Sequence, residues 1–265
     1  MREYIKLLLS TLIALSLLLF SWIKFYDISC IATIFPIVIL AIISYGVIEV
    51  RMQERRCFRR CYFKENSIIS KLLLSKILVT ILSFLFSILI TFTIIYSVID
   101  FSLNWWLYLI FHTMVSTFLY LTILKKSTSI IKEPYNRIFA KEWSGYIMLL
   151  IIIPTFIYSS LNGYLPLYLD NNLEQTMINS LTTISSSCNS IDYILKSLRE
   201  IDAILWWLIL NSTTNIEPIW LKWFIWIGFI IYNSLTLLGI NRLIVEVVHI
   251  VNSLIISKSN LDKSS

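Results

Sequence analysis

The chain has 265 residues, 57% of them apolar and 14% charged, with a mean hydropathy of +0.78, where a soluble domain carries about one quarter charged residues. That composition excludes a soluble globular protein and indicates an integral membrane protein. The apolar residues come in separate runs of about twenty, which excludes both a single anchored domain and a β-barrel, whose strands alternate over only ~9–11 residues. The formal charge of +6 is read as membrane topology, with no nucleic-acid partner implied.

Taken in chain order, a window of ~20 residues at 1.5 Å rise gives six spans, at about 5–23, 29–49, 72–98, 103–124, 145–162 and 219–240. The first follows Met1, Arg2 and Glu3 and stays on as a helix, because its apolar stretch is too long for a signal peptide and no small-x-small site follows it. The expected fold is all-α: one polytopic helical bundle over 1–265 with six transmembrane helices.

Lysine and arginine set the orientation. Arg51, Arg55, Arg56, Arg59, Arg60, Lys64 and Lys71 crowd one loop, and Lys125, Lys126, Lys132, Arg137 and Lys141 another. With Arg2 and Lys6 at the start and Arg242, Lys258 and Lys263 at the end, 17 of the 22 basic residues fall on one side. That side faces the cytoplasm, together with both termini. The expected location is the plasma (inner) membrane, in contact with lipid. Trp22, Trp105, Trp106, Trp143, Trp220 and Trp223 stand at span ends and read as interfacial belts. Pro36 and Pro154, inside spans, are expected to free a carbonyl and kink the helix.

The only long external stretch is 163–217. Within it Ile191, Ile194, Leu195, Leu198, Ile201 and Leu205 recur at three- and four-residue steps, while Asp192, Lys196, Arg199, Glu200 and Asp202 fill the other face. This pattern predicts an amphipathic helix. It runs into AILWWLIL at 203–210, with Trp206 and Trp207, a run too short to cross a ~30 Å core and therefore interfacial or re-entrant. Asn171, Asn172 and the serines around Cys188 read as surface loop, and Pro218 restarts the chain into the last span.

The chemistry-bearing residue types are sparse. Five glycines provide no P-loop, and no Gly-x-Ser-x-Gly or His-Glu-x-x-His motif occurs. No catalytic residue, cofactor site or metal site is expected. Cys30, Cys57, Cys61 and Cys188 are too few and scattered for a disulfide framework and read as incidental thiols. Lys76 and Lys222 lie near enough to span ends to snorkel. His112 sits half-way along the fourth span without an identifiable carboxylate and reads as a helix-packing hydrogen bonder. Glu49 closes the second span and Glu246 lies beyond the sixth, so neither counts as a membrane carboxylate.

The segment from Glu49 to Lys76 is the most informative, and its bland reading is a basic loop on anionic lipid, at ~1 kcal/mol per basic residue. It also resembles the type-2 ABC exporter permeases, most closely those that expel lantibiotic- or bacitracin-like peptides and confer self-immunity. In that family an acidic residue follows the second span, an amphipathic elbow comes next, and Ser-Lys opens the third. Here Glu54, the stretch 55–70, and Ser75 with Lys76 stand in that order. FPIVILAIISYGVIEV at 35–50 resembles the family's second span. A re-entrant external segment before the last span is also the family's habit, matched by 191–217. The first external loop, 24–28, is shorter than the family's, and the elbow lacks its usual glycine and proline.

The resemblance implies a membrane subunit driven by a separate cytoplasmic ATP-binding subunit. That subunit would contact Glu54, Arg55, Arg56, Arg59, Arg60 and Lys64, and a second permease copy or paralogue would complete the pore. The external gate would lie at Ile194, Leu198, Trp206 and Trp207. The rival from another class is a non-transporting immunity, exclusion or phage-defence protein that binds another protein in or beside the bilayer.

Overall fold

The computed structural model describes residues 2–62, 76–133, 135–161, 165–214 and 218–264. Among these the elements are all helical. They are α1 (Arg2–Phe25), a 3-10 turn (Cys30–Thr33), α2 (Ile34–Tyr62), α3 (Lys76–Ile99), α4 (Leu103–Ser127), α5 (Tyr135–Leu161), α6 (Leu173–Thr182), α7 (Asn189–Thr214) and α8 (Ile219–Ser264). Six of them, α1 to α5 and α8, are long and apolar enough to cross a membrane. The chain is a multi-pass membrane protein.

The spans show how lipid replaces water as the solvent. On α1, Leu7, Thr11, Leu15, Leu19 and Trp22 are buried, while Ile5, Leu9, Ile13, Leu17 and Phe20 are exposed. Both stripes are apolar at helical spacing, and only packing distinguishes them. The inner stripe meets α8, which packs against α1, α2, α3, α4, α5 and α7. Its Leu243, Ile244, Val247 and Val248 belong to the main core. A helix that is apolar nearly all round is expected at such a centre.

Several boundaries differ from the sequence reading. The fifth span starts ten residues earlier, at Tyr135 rather than 145, which brings Lys141 and Glu142 into the helix. The sixth does not stop at 240: α8 continues to Ser264, with its apolar window reaching Ile256. Arg242, Glu246 and His249 therefore ride on a membrane helix. Pro36 does not kink α2, because it lies in the first turn, where no intrahelical N–H bond is required; Pro154 does lie inside α5. Trp22 is not an interfacial anchor. It is fully buried and its Nε1 donates to the Ile95 carbonyl at 2.8 Å.

Between the fifth and sixth spans the chain folds two helices, α6 and α7, onto one end of the bundle. The predicted amphipathic helix and the AILWWLIL run form one unbroken element, α7. The stretch read as loop contains α6, capped by Asn172, whose side chain accepts from the Glu174 N–H at 3.0 Å.

Candidate functional site

The spans are not bare of charge. In the half of the bundle away from α6 and the start of α7, Lys141 of α5 is wholly buried, and its Nζ lies 3.1 Å from Glu246 Oε2 on α8 and 3.3 Å from Glu49 Oε2 on α2. It also donates to the Gly46 carbonyl at 3.3 Å. Glu246, equally buried, meets Arg242 one turn earlier at 2.8 Å, and Arg242 reaches back to Glu142 of α5 at 2.7 Å. His249 Nε2 stands 3.8 Å from Glu49, and its Nδ1 lies 3.2 Å from the Tyr120 hydroxyl of α4, which also accepts from Asn252 at 3.3 Å.

This network links α2, α4, α5 and α8 in a region where an unpaired charge would be costly, and each full charge in it has an opposite charge within 3.3 Å. Three carboxylates face two full cations, with His249 beside the third. Gly46 makes room for Glu246, since a Cβ there would occupy the space of its carboxylate. Further along α8, Asn241 bridges His112 Nε2 at 3.0 Å and the Gly145 carbonyl at 3.1 Å, so His112 is a packing hydrogen bonder as expected.

Sequence reading missed this network because Lys141 was counted as a cytoplasmic loop residue and Glu246 as lying past the last span. The signal was present. Asn241, Arg242, Glu246, His249 and Asn252 recur at helical spacing within an otherwise apolar run that no glycine or proline ends before Ser264.

A second polar cluster holds the cap that α6 and α7 form at the other end of the bundle. Cys30 and Cys188 form a disulfide that ties the α1–α2 turn to the start of α7, which corrects the reading of these two as incidental thiols. Their 158-residue separation hid a pairing that only tertiary contact creates. Ser186 and Ser187 hydroxyls donate to the Tyr26 and Asp27 carbonyls beside it. Arg199 and Asp202, assigned from sequence to a solvated face, are also corrected. Arg199 is buried, pairs with Asp100 at 2.7 Å, and lies over the Tyr96 and Tyr168 rings at 5.1 and 5.7 Å.

Asp202 Oδ2 accepts from the Tyr168 hydroxyl at 2.7 Å and from Tyr96 at 3.0 Å. Burial pushes the Asp202 carboxyl above its usual range and outweighs those two donors. Burial, with Asp202 next to it, also raises the Tyr168 phenol. Burial works against the Arg199 charge, but Asp100 and the two tyrosines hold its guanidinium above the ordinary value. At the exposed start of α7, the Lys196 ammonium at 2.7 Å keeps Asp192 below the usual carboxylate range.

The residues expected to carry function are placed as follows. Glu54 is exposed on α2 and pairs with Arg51 at 3.0 Å. Arg55, Arg56, Arg59 and Arg60 continue the same helix, and Lys64 lies outside the described residues. On α7, Ile194 and Leu198 are half-buried one turn apart, and Leu198 packs against the main core. Trp206 packs edge-on against Phe229 of α8, ring centroids 4.8 Å apart, while the Trp207 Nε1 donates to the Asn171 carbonyl at 3.3 Å. The four do not form one cluster, since Trp206 faces α8 and Trp207 secures the chain before α6. Among the described residues no group of three or more His, Cys, Asp or Glu side chains could hold a metal ion. No family model, no curated protein and no solved structure matches the chain.

Proposed function

We propose that the chain is the membrane-spanning subunit of a type-2 ABC exporter, expelling a membrane-active peptide and driven by a separate cytoplasmic ATP-binding subunit. The supporting observation is the unbroken run of α2 from Ile34 to Tyr62. One rigid rod carries both the basic elbow, from Glu54 to Arg60, and Gly46 with Glu49, which grip Lys141 and so the network on α5 and α8. A push on the elbow reaches the bundle centre without a flexible joint, and the ion pairs supply discrete alternative partners for a two-state shift. The two-helix insertion before the last span supports the same reading.

The experiment is affinity isolation of the tagged chain from its native membrane, followed by assay for ATP hydrolysis and identification of any P-loop chain retained. Retention by the natural sequence, with loss when Arg55, Arg56, Arg59 and Arg60 are all replaced by Gln, is the expected result. Unchanged retention in that variant defeats the elbow as the contact.

The rival reading, a non-transporting immunity or exclusion protein, draws support from the cap. Its attachment by a disulfide, the Arg199–Asp100 pair and the Asp202–tyrosine bonds suits a fixed binding surface. Labelling of cysteines placed at Ser190 and Tyr193 separates the two. Cys57 and Cys61 are replaced and the Cys30–Cys188 bond is kept. Accessibility that changes with a trapped ATP state supports the exporter, and equal labelling supports the binder.

A further inference from the structure

Two aspartates stand beside Arg199, and only one of them takes its charge. Arg199 of α7 forks onto Asp100, the residue that follows α3, with Nη1 2.7 Å from Oδ2 and Nη2 2.9 Å from Oδ1. Asp202, one turn further along α7, makes no ion pair among the described residues. Tyr168 and Tyr96 both donate to its Oδ2, at 2.7 and 3.0 Å, and no hydrogen bond from a described residue reaches Oδ1. Two donors on one oxygen and none on the other suit a neutral carboxyl, whose carbonyl oxygen accepts while the second oxygen carries the proton. Tyr232 of α8 is the other titratable group close to Asp202. The α6 helix, which also packs on α7, has Glu174 as its titratable group, exposed in its first turn.

We infer that Asp202 is the proton-binding site of a latch on the cap: protonated, it leaves Arg199 on Asp100 and α7 tied to the end of α3; ionised, it draws Arg199 into its own helix and releases that tie. Residues three apart on a helix are neighbours, so the exchange needs side-chain rotation only. Its direction follows from solvation. The Asp100 side chain is 48% exposed, so water replaces the guanidinium there. An ionised Asp202, enclosed by the buried Tyr96 and Tyr168, would stand without a counter-charge unless Arg199 turned to it. Burial already holds the Asp202 carboxyl above its usual range, so it keeps its proton where Asp100 is ionised. The Cys30–Cys188 bond retains the start of α7 in both states, so the release loosens the middle of the helix without detaching it. The latch stands apart from the exporter reading, because every group in it belongs to this chain.

The test measures amide exchange across α7 in the full chain in mild detergent, from about pH 5, above the ordinary aspartate value, to about pH 9. Each variant is compared with its parent at the same pH. Infrared difference spectra of the natural sequence against Asp202→Asn mark the pH at which Asp202 loses its proton. Below that pH Asp100→Asn is expected to quicken exchange about ten-fold, because a charged hydrogen-bonded pair is lost, and above it less than about two-fold, because Arg199 has already left. In the Asp202→Asn background, where position 202 cannot ionise, Asp100→Asn should quicken exchange equally at both ends of the range. An effect of Asp100→Asn that is constant with pH in the natural sequence makes the pair merely structural and overturns the latch. An equal pH dependence of that effect in the Asp202→Asn background overturns it too, as does the absence of a protonated Asp202 band throughout the range.

Discussion

Lys141 on α5 and Glu246 on α8 meet at 3.1 Å with neither side chain reaching the surface. Removing one member of such a pair leaves an uncompensated charge and costs ~3–5 kcal/mol. Lys141→Met should therefore destabilise the protein by about that amount, measured by unfolding in micelles. Lys141→Met combined with Glu246→Met should recover part of the loss. If the double variant is as unstable as the sum of the singles, the two residues are not coupled.

Gly46 on α2 and Gly145 on α5 should respond in opposite ways to the same added methyl group. At Gly46 the methyl displaces the Glu246 carboxylate, whereas at Gly145 its nearest neighbour is the Asn241 amide nitrogen at 3.5 Å, an ordinary contact. Gly46→Ala is expected to cost ~1–3 kcal/mol as an overpacked site, and Gly145→Ala to be near neutral. Thermal stability of the two variants in one detergent decides the matter, and similar values would contradict the arrangement around Glu246.

Disulfides persist in oxidising compartments, so the Cys30–Cys188 bond predicts that the cap lies on the non-cytoplasmic side. Of four cysteines, Cys30 and Cys188 should resist alkylation until reduced. Reporter fusions after Lys64 and Lys132 should read cytoplasmic and one after Asn172 external. Cys188→Ser should lower stability by ~2–4 kcal/mol. Free Cys30 in the unreduced protein, or an external signal at Lys64, would reverse the scheme.

Asp202 gives the cap a pH dependence whose sign follows from its raised pKa. The folded state holds the proton more tightly than the unfolded state. The contribution is therefore present below the ordinary carboxylate pKa and is lost as pH rises through the folded value. Hydrogen exchange across α7 should quicken over that upward interval, and Asp202→Asn should flatten the slope. A slope of the opposite sign would assign the effect to Asp192, whose lowered pKa gives stability that is lost as pH falls.

If α2 transmits force as a rod, Met52→Pro should uncouple its ends. Proline inside a helix removes a bond and costs ~3 kcal/mol. Met52 lies between Glu49 and Glu54. The variant should still retain the ATP-binding partner but lose export, read as restored sensitivity to the peptide. Full export would show that the elbow works without the rod.

The six spans were legible in the sequence because each is a long apolar run with charged flanks, and lipid imposes that pattern independently of tertiary detail. Arg199 and Lys141 were not legible. A charged residue on a helix reads as solvated unless its partner is known, and Asp100 and Glu246 lie 99 and 105 residues away. Glu54 to Arg60 lie on an extension of α2 that the sequence reading ended at 49, and Ile194, Leu198, Trp206 and Trp207 lie on α7, while the Lys141 network depends on α8 continuing through Arg242, where a hydropathy window sees only a charge and stops.

The central position of α8 bears on how the protein is made. It is the last of the six spans to leave the ribosome, yet its side chains complete the pairing of Lys141, Glu142 and Glu49 on helices inserted before it. Until it arrives, those groups sit in or near the bilayer without α8's counter-charges. A slow or stalled synthesis at that point leaves an intermediate with strong attraction for any surrogate polar helix. Quality-control proteases and insertion chaperones should recognise this chain at that moment rather than after the bundle has closed.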